Sequence, residues 1–331
     1  MNNPMQTPML LLPTPEIETS AVLETSSENA FIIANTLPAS LREIREQHII
    51  PVYSKDNEPL ISHADFIEAT YQSVFDYFPQ EAILEPSVRV SHPIKGRIPS
   101  ARNKPAKDLA DWEKTLYYER AAFVIEIPTI QGQVGDNMLS LTIGGVKAYN
   151  LDSLHNRKGS DEHFKMFIGF QNKVCTNLCI WTDGFKADVR VKSVGQLVEA
   201  IQRLIQQYRA SQHLRAMQSL THYYLTEQQF AQLIGRCRLY QYLPQVQRKE
   251  IEPLLLGDSQ INTIARDYYW DQSFCRSEDG TISLWNVYNL FTGAVKSSYV
   301  DTFLDRNVNA FQFSQSLLSA VQEGSSNWYL Q

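Results

Sequence analysis

Apolar and polar positions along this chain change period several times, and each change predicts a different kind of element. Residues 1–30 are rich in Pro, Thr, Ser and Glu and show no apolar period, which predicts a disordered leader. Leu41, Ile44 and His48 then follow Ser40 at helical steps, and Phe66, Ala69, Val74 and Tyr77 follow Ser62, so two short helices with serine caps are expected. Between about 120 and 192 the period falls to two. Phe123, Ile125 and Ile127 alternate with Val124 and Glu126, and Leu139, Leu141 and Ile143 alternate with Ser140 and Thr142. Gly132, Gly135 and Asn137 mark the turn between these strands, and Gly144 with Gly145 predicts a break or bulge. FKMFIGF and KVCTNLCIW read as the next pair, joined at Gln171 and Asn172, and Asp183-Gly184 turns into the strand ADVRV.

From Ser193 onward the helical period returns. The S-x-x-Q pattern at Ser193 and Gln196 opens a stripe of Leu197, Ile201, Leu204, Ile205 and Tyr208, and Thr226 with Gln229 opens a second. Trp285, Tyr288 and Phe291 repeat at helical steps within a dense aromatic group. These patterns predict an α+β fold: a central antiparallel β meander flanked by small N-terminal helices and a C-terminal helical domain. The expected division is a leader to residue 30, an α+β domain over 31–192 with the sheet at its centre, and a helical domain over 193–331 packed on it.

A chain of 331 residues that is 43% hydrophobic can bury a substantial core. The formal net charge of -6 argues against coating nucleic acid by bulk charge and leaves room for a local basic site. Four scattered cysteines do not make a disulfide framework and fit a reducing, cytoplasmic setting. No window of the sequence approaches the apolar length of a membrane span. Phosphate-binding glycine loops, zinc-protease and esterase motifs are missing from the text, so nucleotide-driven and common hydrolytic chemistry lose weight. No cofactor is expected, and no zinc-type CxxC pair is present.

Two stretches carry candidate chemistry. Over 88–107, Lys95, Arg97, Arg102, Lys104 and Lys107 follow one another without an intervening acid, and Pro93, Pro99 and Pro105 keep the segment from being a helix. Such a loop could track a phosphate backbone. The second stretch, Thr142–Val189, includes a polar loop with His155, Arg157, Lys158 and His163. Strict alternation over KVCTNLCIW would put Lys173, Cys175, Asn177, Cys179 and Trp181 on one face. Three uses of that face compete: a thiol site with Cys175 as nucleophile, His163 as base and Asn177 or Asp183 as orienter; a metal site of Cys175 and Cys179 with His155 or His163; and a nucleic-acid surface of Lys173, Asn177 and Trp181 beside the basic loop. Buried structural thiols are the ordinary alternative to all three.

The blocks EKTLYYERAAFVIEIP, IGGVKAYN, FKMFIGFQNKVCTNLCIWTDGF and LWNVYNLFTGAVKSSYVDTFLDRNVNAF resemble a bacterial family of proteins of unknown function carried on conjugative and other mobile elements. More distantly, VCTN at 174–177 paired with WNVYN at 285–289 resembles phage- and plasmid-like proteins. The resemblance implies the company of mobile DNA and carries over no catalytic residue. The leading expectation is therefore an accessory protein that binds single-stranded DNA in transfer or recombination. The alternatives are a cysteine-dependent enzyme using Cys175 and His163, and a non-enzymatic protein that binds a host factor. The nucleic-acid expectation requires the basic loop to share one surface with Lys173 and Asn177.

Overall fold

A computed structural model describes residues 30–47, 50–51, 61–91, 93–101, 104–148 and 161–331. In chain order these form β1 (Leu37–Ala39), α1 (Leu41–Gln47), β2 (Ile50–Pro51), α2 (His63–Tyr77), β3 (Ser87–Val90), β4 (Pro93–Arg97), β5 (Lys114–Tyr118), β6 (Arg120–Val134), β7 (Asn137–Ala148), β8 (Glu162–Asn172), β9 (Leu178–Cys179) and β10 (Phe185–Val191). There follow α3 (Val194–Gln207), α4 (Ala210–Ser219), β11 (Tyr224–Leu225), α5 (Glu227–Tyr240), α6 (Gln245–Arg248), α7 (Asp258–Trp270), β12 (Ile282–Ser283), α8 (Leu284–Val295) and α9 (Val300–Glu323). The expected α+β architecture is the observed one: an antiparallel, curled sheet in the order β1-β3-β6-β7-β8-β10, with β9 also paired to β8.

The helix starts follow from their caps. The Ser40 hydroxyl accepts from the Glu43 amide, and Ser62 and Asp65 cap each other's backbone at the start of α2. Thr226 and Gln229 do the same for α5. On α2 the buried face holds Phe66, Ile67, Val74 and Ser73, while Tyr77, expected in the stripe, is exposed.

The β6–β7 hairpin closes on Gly135 and Asp136, with Gly135 at φ +55°, a left-handed turn that glycine adopts without a Cβ penalty. One face of the hairpin is apolar. Phe123 and, on β8, Phe164 receive Phe66 of α2 edge-on at 5.0 and 4.9 Å. From the other face of β8, the Lys165 ammonium reaches the Asp301 carbonyl at 2.6 Å and the Asp305 carboxylate, tying the sheet to the first turns of α9. Every residue of β8 is buried. In the C-terminal half α8 is almost wholly interior, with Trp285, Tyr288 and Phe291 in the core as their spacing predicts, while Tyr269, Trp270 and Tyr299 are exposed.

Three local expectations need correction. Gly144 and Gly145 neither break nor bulge β7, which pairs straight through them. They are small because neighbours press in: a Cβ on Gly144 would sit 2.1 Å from the Phe123 carbonyl oxygen, and one on Gly145 2.4 Å from the Phe66 ring. The basic segment is not one loop, since Pro93–Arg97 pairs with Lys114–Tyr118 in a small sheet of its own with β2. KVCTNLCIW is not one strand either: Lys173–Cys175 form a turn, and only Leu178 and Cys179 join the sheet. The leader up to residue 29, His48 and the loop bearing His155, Arg157 and Lys158 lie outside the described residues.

Because the atom a Cβ would strike at Gly144 is rigid backbone, Gly144→Ala is expected to lower unfolding stability by about 1–3 kcal/mol, the usual range for overpacking a filled interior. Urea denaturation of the purified variant checks this; an unchanged midpoint would mean that the hairpin and β8 are less tightly apposed than described.

Candidate functional site

The VCTN segment is shaped by the need to reverse direction after β8 while remaining buried. The Asn172 carboxamide oxygen accepts from the Val174 amide at 3.0 Å, the Thr176 amide donates to the Asn172 carbonyl at 2.8 Å, and the Asn172 amide donates to the Asn177 carbonyl at 3.0 Å. This winds Thr176 into the left-handed region at φ 57°, unusual for a β-branched residue. Such a conformation persists where surroundings over-determine it. Here the Thr176 hydroxyl lies 3.0 Å from the Lys296 ammonium and 3.2 Å from the Ala30 carbonyl, and Lys296 also donates to the Cys175 carbonyl.

The WNVYN segment meets this turn from α8. The Asn177 side chain donates to the Asn289 carbonyl at 3.0 Å, Asn172 donates to the Asn289 side-chain oxygen at 3.3 Å, and Asn289 in turn donates to the Trp285 carbonyl at 2.9 Å. VCTN and YN are therefore in contact, as a buried amide clasp. Its polar groups are used internally.

The thiol arrangement is not assembled. His163 stands at the other end of β8, its ring nitrogen 2.9 Å from the Ala187 carbonyl and 3.2 Å from the Asp188 carboxylate. Nine residues of strand separate it from Asn172, about 30 Å at the usual rise. Burial pushes the Cys175 thiol up to about 11, the reverse of an activated nucleophile. Burial also raises Cys179, which lies wholly in the core.

The cationic surface is not assembled either. Arg97 is only 2% exposed, and its guanidinium donates to the carbonyls of Ala101, at 3.3 Å, and Lys104. Lys104 pairs with Glu113 at 2.7 Å, and that hydrogen bond holds the Glu113 carboxyl below its usual range. Asp108 and Asp111 follow in the same segment. Lys107 is exposed, Lys95 lies within β4, and Arg102 lies outside the described residues. Lys173 is exposed beside Met138 at one end of β7, whereas the separate small sheet of the basic segment leads through β5 into β6 at Arg120, opposite Ala148 at the other end of β7. Trp181 is half-buried against His213 and Phe311, with ring centroids 5.7 and 6.1 Å away.

A different surface emerges between α1, α2 and the start of α3, where a groove of about 600 Å³ opens to solvent. Leu41, Tyr71, Val194 and Val198 supply apolar lining, and Asp65, Glu68, Asp76 and Glu85 supply four carboxylates against the single guanidinium of Arg45. Arg45 is paired to Glu68 at 2.7 Å, and Asp65 is engaged in capping α2. Phe75 and Tyr77, on the last turns of α2, remain 53% and 45% exposed. The sequence does carry the signal for this surface: Asp65, Glu68, Gln72 and Asp76 recur at three- and four-residue steps, an acidic stripe complementary to the apolar one.

Comparison with known proteins yields one match. The model of a family described as "Domain of unknown function, B. Theta Gene description (DUF3871)" matches residues 16–330, nearly the whole chain. No curated protein matches the chain, and no solved structure does. No helix among the described residues is long and apolar enough to cross a membrane.

The raised thiol sets a pH test. From an ordinary value of 9.0 to about 11, the shift leaves roughly a hundredfold less thiolate at neutral pH in the folded chain than in the unfolded one. Alkylation of Cys175 by iodoacetamide is expected to run far slower in native protein than in urea, and to accelerate as pH rises towards 11. Peptide mass mapping reads both; labelling of Cys175 at neutral pH as fast in native protein as in urea, or faster, would restore the nucleophile reading.

Proposed function

The chain belongs to the DUF3871 family, and since that family's description names no activity, we propose a function from geometry: a non-enzymatic binding protein whose groove between α1, α2 and α3 takes a basic, amphipathic segment of a partner protein. The observation that carries this reading is the excess of carboxylates over an apolar lining. An amphipathic helix with Lys or Arg on its flanks and Leu-like residues on its inner face satisfies both, the apolar stripe seated on Leu41, Tyr71 and Val198 and the cations set against Glu68, Asp76 and Glu85. Phe75 and Tyr77 extend the apolar surface beyond the groove.

Nucleic acid fits this groove poorly, because its phosphates would meet like charge. Reading the chain as a protein of mobile elements that engages a host factor belongs to the same proposal: the partner is then a protein of the host or of the element itself. The buried clasp of Asn172, Asn177 and Asn289 has a scaffolding role in this reading, holding α8 to the sheet.

A fluorescein-labelled peptide alternating Leu pairs with Lys and Arg, helical when bound, serves as probe for the full chain in fluorescence anisotropy. Glu68→Lys combined with Asp76→Lys is expected to weaken binding more than about tenfold, roughly 1.4 kcal/mol, and added salt to weaken the unaltered protein in the same direction. Equal binding by the charge-reversed protein, or tighter binding of a labelled single-stranded oligonucleotide than of the peptide, overturns the reading.

A further inference from the structure

A second recess lies on the sheet itself and shares Glu85 with the acidic groove. Registers Thr142 with Glu126, Ser140 with Gln171 and Arg89 with Ala122 put Arg89, Val124, Glu126, Ser140, Thr142 and Gln171 on one face. The opposite face of the same strands presents Ile125, Leu141, Ile143 and Phe170. Polar residues on an inward sheet face need a reason.

Over this patch runs the segment Ala30–Thr36. The amides of Ile33 and Ala34 donate to the Lys296 carbonyl at 2.9 and 3.2 Å, and Phe31 lies against Phe303 with centroids 6.1 Å apart. Between segment and sheet is a recess of about 220 Å³, the room of about seven waters at ~30 Å³ each. Phe31 and Val124 line it together with the charged side chains of Arg89, Glu126 and Glu85.

Among the described residues Arg89 pairs with neither Glu126 nor Glu85. Arg89 donates through Nε to the Thr36 hydroxyl at 3.2 Å and through Nη2 to the Thr36 carbonyl at 2.9 Å, and among the described residues Nη1 donates to no acceptor and no carboxylate pairs with the guanidinium. Glu126 accepts from the Ser140 hydroxyl at 2.6 Å through one oxygen, and its second oxygen has no donor among the described residues. Burial lowers the Arg89 pKa from its ordinary value, the mark of a cation held partly out of water. Their strand positions differ by four residues, about 13 Å, part of which their own side chains span.

We infer that this recess binds a small zwitterion with an apolar body, an amino acid or short peptide with both termini free, its carboxylate on Arg89, its ammonium on Glu126 and its side chain against Phe31 and Val124. A charge-assisted hydrogen bond at each end supplies orientation, and the apolar middle supplies contact area. No bond is made or broken; the site binds.

Leucyl-leucine, its N-acetyl form and its C-terminal amide are the probes, titrated into the full chain by isothermal calorimetry. The free dipeptide is expected to bind, and each cap to weaken it about tenfold or more. Glu126→Gln keeps an acceptor for Ser140 and is expected to erase the penalty for N-acetylation while leaving the penalty for C-amidation in place. Absence of heat with the free dipeptide at millimolar concentration, or equal affinity of free and capped forms, overturns the inference. Should the variant fail to fold by circular dichroism, the cap series on the unaltered protein decides the matter alone.

Discussion

A strand covered on both faces has no water to turn to, and β8 is such a strand along its whole length. Each polar group on it must find a partner inside the protein or destabilise the fold by several kcal/mol. The partners it finds hold the rest together. Glu162 accepts from the Ile61 amide at 2.8 Å, fixing the entry to α2, and pairs with the fully buried Lys147 at 2.6 Å, whose ammonium also rests on the Phe164 ring at 4.0 Å. Lys165 reaches α9, and Asn172 reaches α8. One strand thus sets the positions of three helices. A buried ion pair repays its desolvation only in good geometry and with further hydrogen bonds, so such ties contribute to a single arrangement more than to raw stability.

That constraint explains why residues with chemical uses turned out to be structural ones. Asn177 and Cys175 stand in a text of enzyme-like residue types, yet the reversal after β8 consumes the amides and the burial raises the thiol. The sequence shows residue identities but not which side of a strand meets protein and which meets water. For β6, β7, β8 and β10 the period of two was legible because alternation is a local property, and the caps at Ser62 and Thr226 were legible because four residues contain them. KVCTNLCIW imitates the same alternation by accident of apolar and polar order. What breaks it is Thr176 in a left-handed conformation, where no glycine flags the turn. β4 escaped for a related reason: prolines and a glycine mark it as irregular, and its partner β5 lies some twenty residues away in the chain.

The candidate surfaces divide along the same line. Acids on α2 recur at helical steps and can be read from the text, whereas the recess beneath Ala30–Thr36 is built from β3, β6, β8 and a segment more than fifty residues upstream of the nearest of them. Only the fold brings Arg89 and Glu126 to one face.

Charge, finally, has to be sorted by place before it says anything about partners. The chain has 36 acidic and 30 Lys or Arg residues, a modest excess by count. Several of the cations are spent indoors: Arg97 on loop carbonyls, Lys147 on Glu162, Lys165 on α9, Lys296 on the turn after β8. Lys104 is spent on Glu113. The carboxylates of Asp76 and Glu85 stay at the surface of the α1–α2–α3 groove. Three of these five cations are paired with carboxylates and leave the net charge as it was, so the negative field at the groove comes from its own lining, four carboxylates against Arg45, set where apolar side chains are also within reach. Long-range attraction would bring a cationic segment to the groove and repel a phosphate chain from it, so the local excess of carboxylates, and not the count over the whole chain, bears on which class of macromolecule this surface can hold.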